Sequence, residues 1–182
     1  MSEYEKMLGS QLYDASDAEL MNLRKKSREA IQVYNQSGYD KQNRFALLQQ
    51  MLGKTGANID IQTPFFCDYG CHIIVGNNFF ANFNCVFLDC NYITIGDNVF
   101  LGPNVQVYAA SHPLIASERI KGPELAYPVT LGDNVWVGGG SIICPGVTIG
   151  ENTTIGAGSV VVKDIPPNVL AAGNPCRIIR TL

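Results

Sequence analysis

The sequence predicts a mainly β fold in which the chain winds as a parallel β-helix, and three observations support this. Aliphatic residues recur every six positions between 130 and 163, at Leu131, Val137, Ile143, Ile149, Ile155 and Val161. A glycine follows most of them, with Cys144 interrupting the series, and the same period occurs upstream at Ile95, Leu101 and Val107. This period is typical of a coil whose short faces each turn one apolar residue inward. Asp-Asn pairs at 97–98 and 133–134 suit corners that need positive φ.

Residues 1–55 are predicted to form a helical segment, because they are charged, rich in Leu and poor in Gly. Ser16 with Glu19 predicts a capping box that opens a helix running to about Gln36. Asp40 predicts the cap of a second helix that ends near Gly53. Two short helices cannot form a core alone, so this segment must pack on the coil or on another chain.

Residues 56–182 are predicted to form the coil, with two irregular places. Val75, Ala81, Phe87 and Ile93 keep the six-residue step, and Ile95 then follows late, so the corner at 89–92 carries extra residues. A longer interruption is the loop 108–128. Val107 before it and Leu131 after it are 24 residues apart, which is four whole periods, so the loop can be extruded without disturbing the phase. Such insertions often build the binding site of a solenoid. A C-terminal tail follows two prolines that end the repeat.

Composition excludes several classes. A net charge of −3 and a pI of about 5.3 argue against non-specific binding of nucleic acid. The polar start predicts no signal peptide, no membrane span and a cytoplasmic location. The six cysteines are therefore expected to be reduced and buried. Cys67, Cys71 and His72 lie close in sequence, but no second cluster completes four zinc ligands, so no metal site is predicted.

The chain resembles the hexapeptide-repeat acetyltransferases, specifically the maltose and galactoside O-acetyltransferase group, over nearly its whole length. The matching motifs are Tyr34-Asn35, the run 80–84, Ser111-His112-Pro113-Leu114, the stretch 128–138, Lys163-Asp164-Ile165-Pro166-Pro167 and Gly173-Asn174-Pro175. The resemblance implies a left-handed parallel β-helix and a homotrimer with active sites between neighbouring subunits. It also implies transfer of an acetyl group from acetyl-CoA to a sugar hydroxyl.

His112 is the expected general base, because a neutral imidazole can take the proton of a sugar hydroxyl as its oxygen attacks a thioester. On the residues alone it could equally be a surface loop histidine, and the family's Ser-His-Pro motif favours catalysis. By resemblance, the acceptor sugar would contact Asn82, Asp89, Glu124 and Arg24. Plainer interpretations are a polar corner for Asn82, a solvated acid for Glu124 and an exposed basic residue for Arg24.

Two departures bear on the acceptor. The galactoside enzymes have a second acidic residue where this chain has Cys90, and a tyrosine where it has Phe80. Glu124 instead agrees with the maltose type, which has a Gly-x-Glu-Leu run before its Pro-Val. The resemblance therefore favours a maltose or glucose acceptor over a galactoside.

For acetyl-CoA, the resemblance implies a narrow groove between coils of two subunits. Gly139 would offer a backbone N–H to the thioester carbonyl as negative charge develops on its oxygen. The expected lining is Trp136, Ala157 and Val162, and the cations for the CoA phosphates are Lys163, Arg177 and Arg180. Arg177 and Arg180 also fit an ordinary surface pair. No P-loop or Rossmann glycine motif is present.

The sequence also bears on other functions of this fold. A zinc carbonic anhydrase needs three histidines per metal, and the chain has two. Serine acetyltransferases carry a much longer N-terminal helical domain. An oligosaccharide or serine acceptor and a non-catalytic repeat subunit remain alternatives. A covalent acetyl-cysteine is not favoured, because none of the six cysteines lies on the His112 loop, so direct transfer is expected.

Overall fold

The computed structural model describes residues 1–182 as a triangular coil of short parallel strands preceded by helices. The strands stack into three sheets, named face 1, face 2 and face 3 in the order in which each coil visits them. Face 1 contains β1 (Lys54–Thr55), β4 (Ile73–Val75), β7 (Ile93–Ile95), β12 (Val129–Leu131) and β15 (Thr148–Ile149). Face 2 contains β2 (Asp60–Ile61), β5 (Phe80–Ala81), β8 (Phe100–Leu101), β13 (Trp136–Val137), β16 (Thr154–Ile155), β18 (Val169–Ala172) and β19 (Arg177–Thr181). Face 3 contains β3 (Phe65–Cys67), β6 (Cys85–Leu88), β9 (Gln106–Tyr108), β14 (Ile142–Ile143) and β17 (Val160–Val161).

In most strands of the three faces an apolar residue points into the coil and stacks on its counterpart one coil later. On face 1 these residues are Val75, Ile95, Leu131 and Ile149, which are paired in register and buried. Face 2 contributes Ile61, Ala81, Leu101, Val137, Ile155 and Ala171. Face 3 contributes Cys67, Phe87, Val107, Ile143 and Val161. Burial of such side chains contributes roughly 1.5–3 kcal/mol each. The predicted parallel β-helix is confirmed.

The corner between faces 1 and 2, corner 1–2, is built from stacked asparagines. Each has φ between 55° and 59°, a left-handed conformation that asparagine tolerates better than most residues. Their side chains form a hydrogen-bonded ladder along the coil, through Asn58, Asn78, Asn98, Asn134, Asn152 and Asn168. The predicted role of the Asp-Asn pairs at corners is therefore confirmed.

The corner between face 3 and the next face 1, corner 3–1, is the irregular one. It contains the predicted extra residues at 89–92, a similar widening at 68–72, and the extruded loop. That loop is a hairpin in which β10 (Ala110–Ser111) pairs antiparallel with β11 (Leu125–Ala126), and α4 (Ala116–Arg119) lies near its tip. All three insertions therefore stack on one edge of the coil.

The N-terminal helices are α1 (Glu3–Leu8), α2 (Ala18–Asn35) and α3 (Lys41–Met51). They pack on the coil, and α1 packs on corner 3–1. There the Asn91 amide donates to the carbonyls of Met7, Leu8 and Ala126, each at 3.2 Å. A small apolar cluster joins the same elements and contains Met7, Tyr13, Leu20, Tyr69, Cys90 and Ala126.

The helical segment differs from the prediction in two respects. The short helix α1, capped by Ser2 and Glu5, was not predicted. The predicted capping box at Ser16 is wrong, because Asp17 caps α2 and the Ser16 N–H and hydroxyl both donate to Asp14. The cap of α3 by Asp40 is confirmed.

Candidate active site

His112 lies on the hairpin that leaves the coil at corner 3–1. Its side chain is exposed, and the imidazole makes no hydrogen bond within the chain, whereas the neighbouring Pro113 is buried. Arg119 braces the turn by donating to the carbonyls of Pro113 and Leu114 at 3.0 and 3.1 Å. The hairpin thus presents a free imidazole on an ordered support.

The hairpin is tied to the N-terminal segment by Tyr13 and Glu124. Their backbones exchange two hydrogen bonds of 3.1 and 3.0 Å, and the Tyr13 hydroxyl donates to the Glu124 carboxylate at 2.9 Å. Burial raises the pKa of Tyr13 well above its usual range, so this phenol stays a neutral donor. Ser111 pairs with Leu125, and the next step of that register places Glu124 opposite His112. No hydrogen bond joins the two side chains. Tyr13 was not identified from the sequence.

Arg24 lies beside the same hairpin. Its guanidinium donates to the Tyr69 hydroxyl and the Ala15 carbonyl, each at 2.5 Å, and lies 5.6 Å from the centre of the Tyr69 ring. It lines a cleft of about 640 Å³ with Asp14, Ser16 and Lys121, between the start of α2 and the hairpin tip. Arg24 is therefore held in place by its neighbours and is not an ordinary flexible surface residue.

Asp89 does not belong to an acceptor pocket, and that prediction is wrong. The residue is fully buried, and one carboxylate oxygen accepts the N–H groups of Asp68 and Tyr69 at 2.9 Å each. The other oxygen accepts the N–H of His72 at 3.4 Å. Burial raises the pKa of Asp89 to about 7. Its carboxyl group shapes the widened corner at 68–72 and is inaccessible to a sugar.

Four other predicted residues lie away from corner 3–1, on face 2 and at the corner that follows it. Asn82, Gly139 and Ala157 occupy the corner between faces 2 and 3, corner 2–3, in three different coils. Trp136 is half-exposed on face 2, where its strand pairs with that of Phe100. Trp136 and Asn82 line one open cleft of about 470 Å³ with Phe80, Phe100, Leu101 and Gly102.

Two glycines at corner 2–3 are favoured for different physical reasons. A Cβ at Gly138 would lie 2.5 Å from the Ala157 nitrogen, so the next coil requires glycine there. Gly140 has φ of 70° and open space around it. Between them, the N–H of Gly139 makes no hydrogen bond within the chain, whereas those of Gly138 and Gly140 are bonded. Gly139 adjoins the cleft through Gly102, since a Cβ on that lining residue would lie 2.5 Å from the Gly139 nitrogen.

The predicted cations lie in two places. Arg177 and Arg180 are exposed on β19, the edge strand of face 2, so they share a sheet with Trp136. Val162 and Lys163 are exposed after β17, where the chain enters corner 3–1. Lys163 therefore shares an edge of the coil with His112.

One chain thus separates the predicted residues into two groups on different edges. His112, Glu124, Arg24, Val162 and Lys163 belong to corner 3–1. Asn82, Trp136, Gly139, Ala157, Arg177 and Arg180 belong to face 2 and corner 2–3. The chain does not bring the two groups together.

The second histidine and four of the six cysteines are buried in the fold. His72 is buried, with Nδ1 2.7 Å from the Asp89 carbonyl and Nε2 3.2 Å from the Tyr4 hydroxyl. All six cysteines are free, and four are buried, whereas Cys71 is exposed and Cys144 is half-buried, so the expectation of burial is wrong for these two. No cluster of three or more His, Cys, Asp or Glu side chains could hold a metal ion.

Three family profiles match the chain. The profile described as the maltose acetyltransferase hexapeptide capping motif matches residues 6–56. The profile described as bacterial transferase hexapeptide (six repeats) matches residues 128–163. The profile described as hexapeptide repeat of succinyl-transferase matches residues 92–107.

Matches to proteins of known structure cover the whole chain. The crystal structure of a maltose O-acetyltransferase from Clostridium difficile 630 is 50% identical, with a TM-score of 0.98, and the match covers 100% of this chain and 98% of that one. The chain belongs to the maltose and galactoside O-acetyltransferase family. A second crystal structure, of a hexapeptide-repeat acetyltransferase from Vibrio cholerae complexed with acetyl-CoA, is 41% identical with a TM-score of 0.93. That match covers 100% of this chain and 99% of the other. The galactoside O-acetyltransferase of Escherichia coli is 40% identical over 78% of this chain and 70% of its own length.

The protein is accordingly an acetyltransferase. None of the helices of this acetyltransferase is both long and apolar enough to cross a membrane.

Proposed function

We propose that this acetyltransferase moves an acetyl group from acetyl-CoA to a hydroxyl of a maltose- or glucose-type sugar, with His112 as general base. One observation carries the proposal. The exposed imidazole of His112 and the unpaired N–H of Gly139 lie on two different edges of the coil. Two copies placed edge to edge would unite a base and an oxyanion donor in one cleft.

The residues at face 2 fit acetyl-CoA. An exposed indole and a phenyl ring, Trp136 and Phe100, offer an apolar wall to a pantetheine arm. The CoA phosphates could be bound by the exposed cations Lys163, at corner 3–1, and Arg177 and Arg180, on β19. The similarity to a Vibrio cholerae acetyltransferase complexed with acetyl-CoA supports the same ligand here.

The proposed chemistry is a direct transfer in a ternary complex. His112 takes the proton from the sugar hydroxyl while that oxygen forms a bond to the acetyl carbon of the thioester. The Gly139 N–H stabilises the negative charge that develops on the carbonyl oxygen. The carbon–sulfur bond then breaks, and the proton on His112 is available to the departing thiolate. Such a base contributes roughly 10²–10⁴-fold to the rate.

The proposed assembly is a homotrimer with its active sites between neighbouring subunits. In each site, one subunit supplies His112, Glu124, Arg24 and Lys163. Its neighbour supplies Asn82, Trp136, Gly139, Ala157 and the arginines of β19. This division follows from the separation of the two groups, since each edge of a single chain carries only one of them. A contact between two different edges of identical subunits is head-to-tail, and it forms a closed ring when the repeated rotation closes.

The acceptor assignment rests on Cys90 at corner 3–1 and on the relatives. The buried Cys90 offers no second carboxylate at corner 3–1, so the galactoside pattern is incomplete. Fifty per cent identity to the Clostridium difficile maltose O-acetyltransferase supports the maltose type.

The test measures free thiol release from acetyl-CoA with glucose, maltose, a galactoside, a chitin oligomer and serine as separate acceptors. We expect release with glucose and maltose, and a fall of about 10²-fold or more in His112→Ala. His72→Ala is unsuitable as a control because His72 is buried, so the exposed Lys26→Ala serves instead. Release with serine alone, or equal rates in wild type and His112→Ala, would contradict the proposal.

A further inference from the structure

A row of surface depressions runs along helix α2 away from the His112 hairpin, and its middle part is lined by side chains of α2 alone. It consists of three adjoining surface depressions of about 640, 360 and 430 Å³. The first adjoins the second because Met21 and Arg24 line both, and the second adjoins the third because Arg28 and Gln32 line both. We call the whole depression the α2 groove. Its first part touches the hairpin tip at Lys121 and Pro123.

The side chains along the α2 groove follow one face of the helix. Arg24, Arg28, Gln32 and Gln36 are each four residues apart, which places them in one row. At 1.5 Å per residue, this row is about 18 Å long. That length accommodates several linked pyranose rings and is more than a disaccharide needs.

Most of this row is free to bind a ligand. The side-chain hydrogen bonds that the body of α2 makes to the rest of the chain come from Arg24, Ser27, Tyr34 and Asn35. In contrast, the exposed side chains of Arg28, Gln32 and Gln36 make no hydrogen bond or ion pair within the chain. Guanidinium and amide groups are planar, with several donors and, in glutamine, an acceptor. Such groups match neighbouring sugar hydroxyls, which both donate and accept.

The far end of the groove is aromatic. Phe66 lines the last depression with Ile31 and Cys67, and 47% of its surface is exposed. A large exposed ring beside a polar row offers a flat apolar platform to the C–H face of a sugar. The groove therefore offers hydrogen-bonding groups along its length and one exposed aromatic ring at its far end.

We propose that the α2 groove binds an oligosaccharide acceptor, whose end residue reaches His112 and whose following residues lie along Arg28, Gln32 and Phe66. This inference rests on the proposed sugar acetylation and deepens it by naming an extended glycan as the acceptor class. Arg24, which is already held by Tyr69 and Ala15, marks the junction between the catalytic end and the groove.

The test compares kcat/KM along two series of linear acceptors, from glucose to maltohexaose and from N-acetylglucosamine to chitohexaose. We expect kcat/KM to rise with length in at least one series and to level off once the groove is filled. In Arg28→Ala and Gln32→Ala, the ratio of kcat/KM for the hexasaccharide to that for the monosaccharide should fall about tenfold. Lys26→Ala is the matched control, since Lys26 is exposed on α2 outside the groove, and its ratio should match the wild type.

Three results would overturn the proposal. One is a kcat/KM that does not depend on acceptor length in either series. The second is an unchanged ratio in both groove variants. The third is an equal loss for all acceptors with an altered oligomeric state by light scattering, which would assign the groove to a contact between copies. Acetylation of the monosaccharide reports on the proposed function separately, so the two failures can be distinguished.

Discussion

The bond between Tyr13 and Glu124 is expected to hold the His112 hairpin in place. Tyr13→Phe removes only the hydroxyl, which donates to the Glu124 carboxylate at 2.9 Å, and leaves both backbone hydrogen bonds intact. Tyr13 is 1% exposed, so solvent does not readily replace the lost partner. A hydrogen bond to a charged group contributes about 1.5–3 kcal/mol. Local opening of the hairpin should therefore become about 10–100-fold more frequent.

Amide hydrogen exchange of peptides covering 109–126 measures this opening directly. We expect exchange there to accelerate by about 10–100-fold in Tyr13→Phe, while peptides of the late coils stay unchanged. kcat should fall with little change in KM for acetyl-CoA, because the position of His112 is loosened and face 2 is not. Tyr4→Phe is the matched control, since it removes a hydroxyl of the same N-terminal segment that contacts His72 and not the hairpin. Equal exchange in wild type and Tyr13→Phe, or equal acceleration in both variants, would refute the reasoning.

Two further predictions concern stability. Burial raises the pKa of Asp89 from 3.8 to about 7, so its stabilising contribution is complete below 3.8 and is lost as the pH rises through about 7. Relative to Asp89→Asn, the wild type should lose on the order of 4 kcal/mol between pH 4 and 8 in urea titrations at fixed protein concentration, and a pH-independent difference would contradict this. In the asparagine ladder, Asn98→Ala should destabilise by about 1 kcal/mol more than Asn98→Gly, because φ is 56° and both variants lose the bonds to Asn78 and Asn134. Equal melting curves for the two variants would show that φ costs nothing at this corner.

The coil could be predicted from the sequence because its period is local and repeated. Many inward residues, such as Leu131 and Val137, are followed by glycine, and an asparagine with positive φ recurs at corner 1–2. The helices were harder to place. Ser16 and Asp17 are both good caps, and only the bond from Ser16 back to Asp14 decides between them. The helix α1 spans six residues, too few for a recognisable apolar period.

The sequence could name candidate residues for the site but not their positions on the coil. Short sequence motifs identify His112, Trp136 and Gly139 as candidates. Which edge of the coil each of them occupies depends on how many residues each corner contains. Asp89 shows the limit most clearly. An acidic residue at an irregular corner suits a sugar ligand or a backbone anchor equally well, and only its burial and its three N–H partners identify it as the anchor.

The central claim is that each active site combines corner 3–1 of one chain with corner 2–3 of another, and mixed oligomers test it most directly. His112→Ala disables the first edge, and the double variant Asn82→Ala/Trp136→Ala disables the second. Each variant alone should be nearly inactive. In trimers reassembled from equal amounts of both, every mixed trimer regains one intact site, so activity should return to about a quarter of the wild-type value per chain. Activity no greater than the mean of the two separate variants would contradict the account, because it would place the whole site within a single chain.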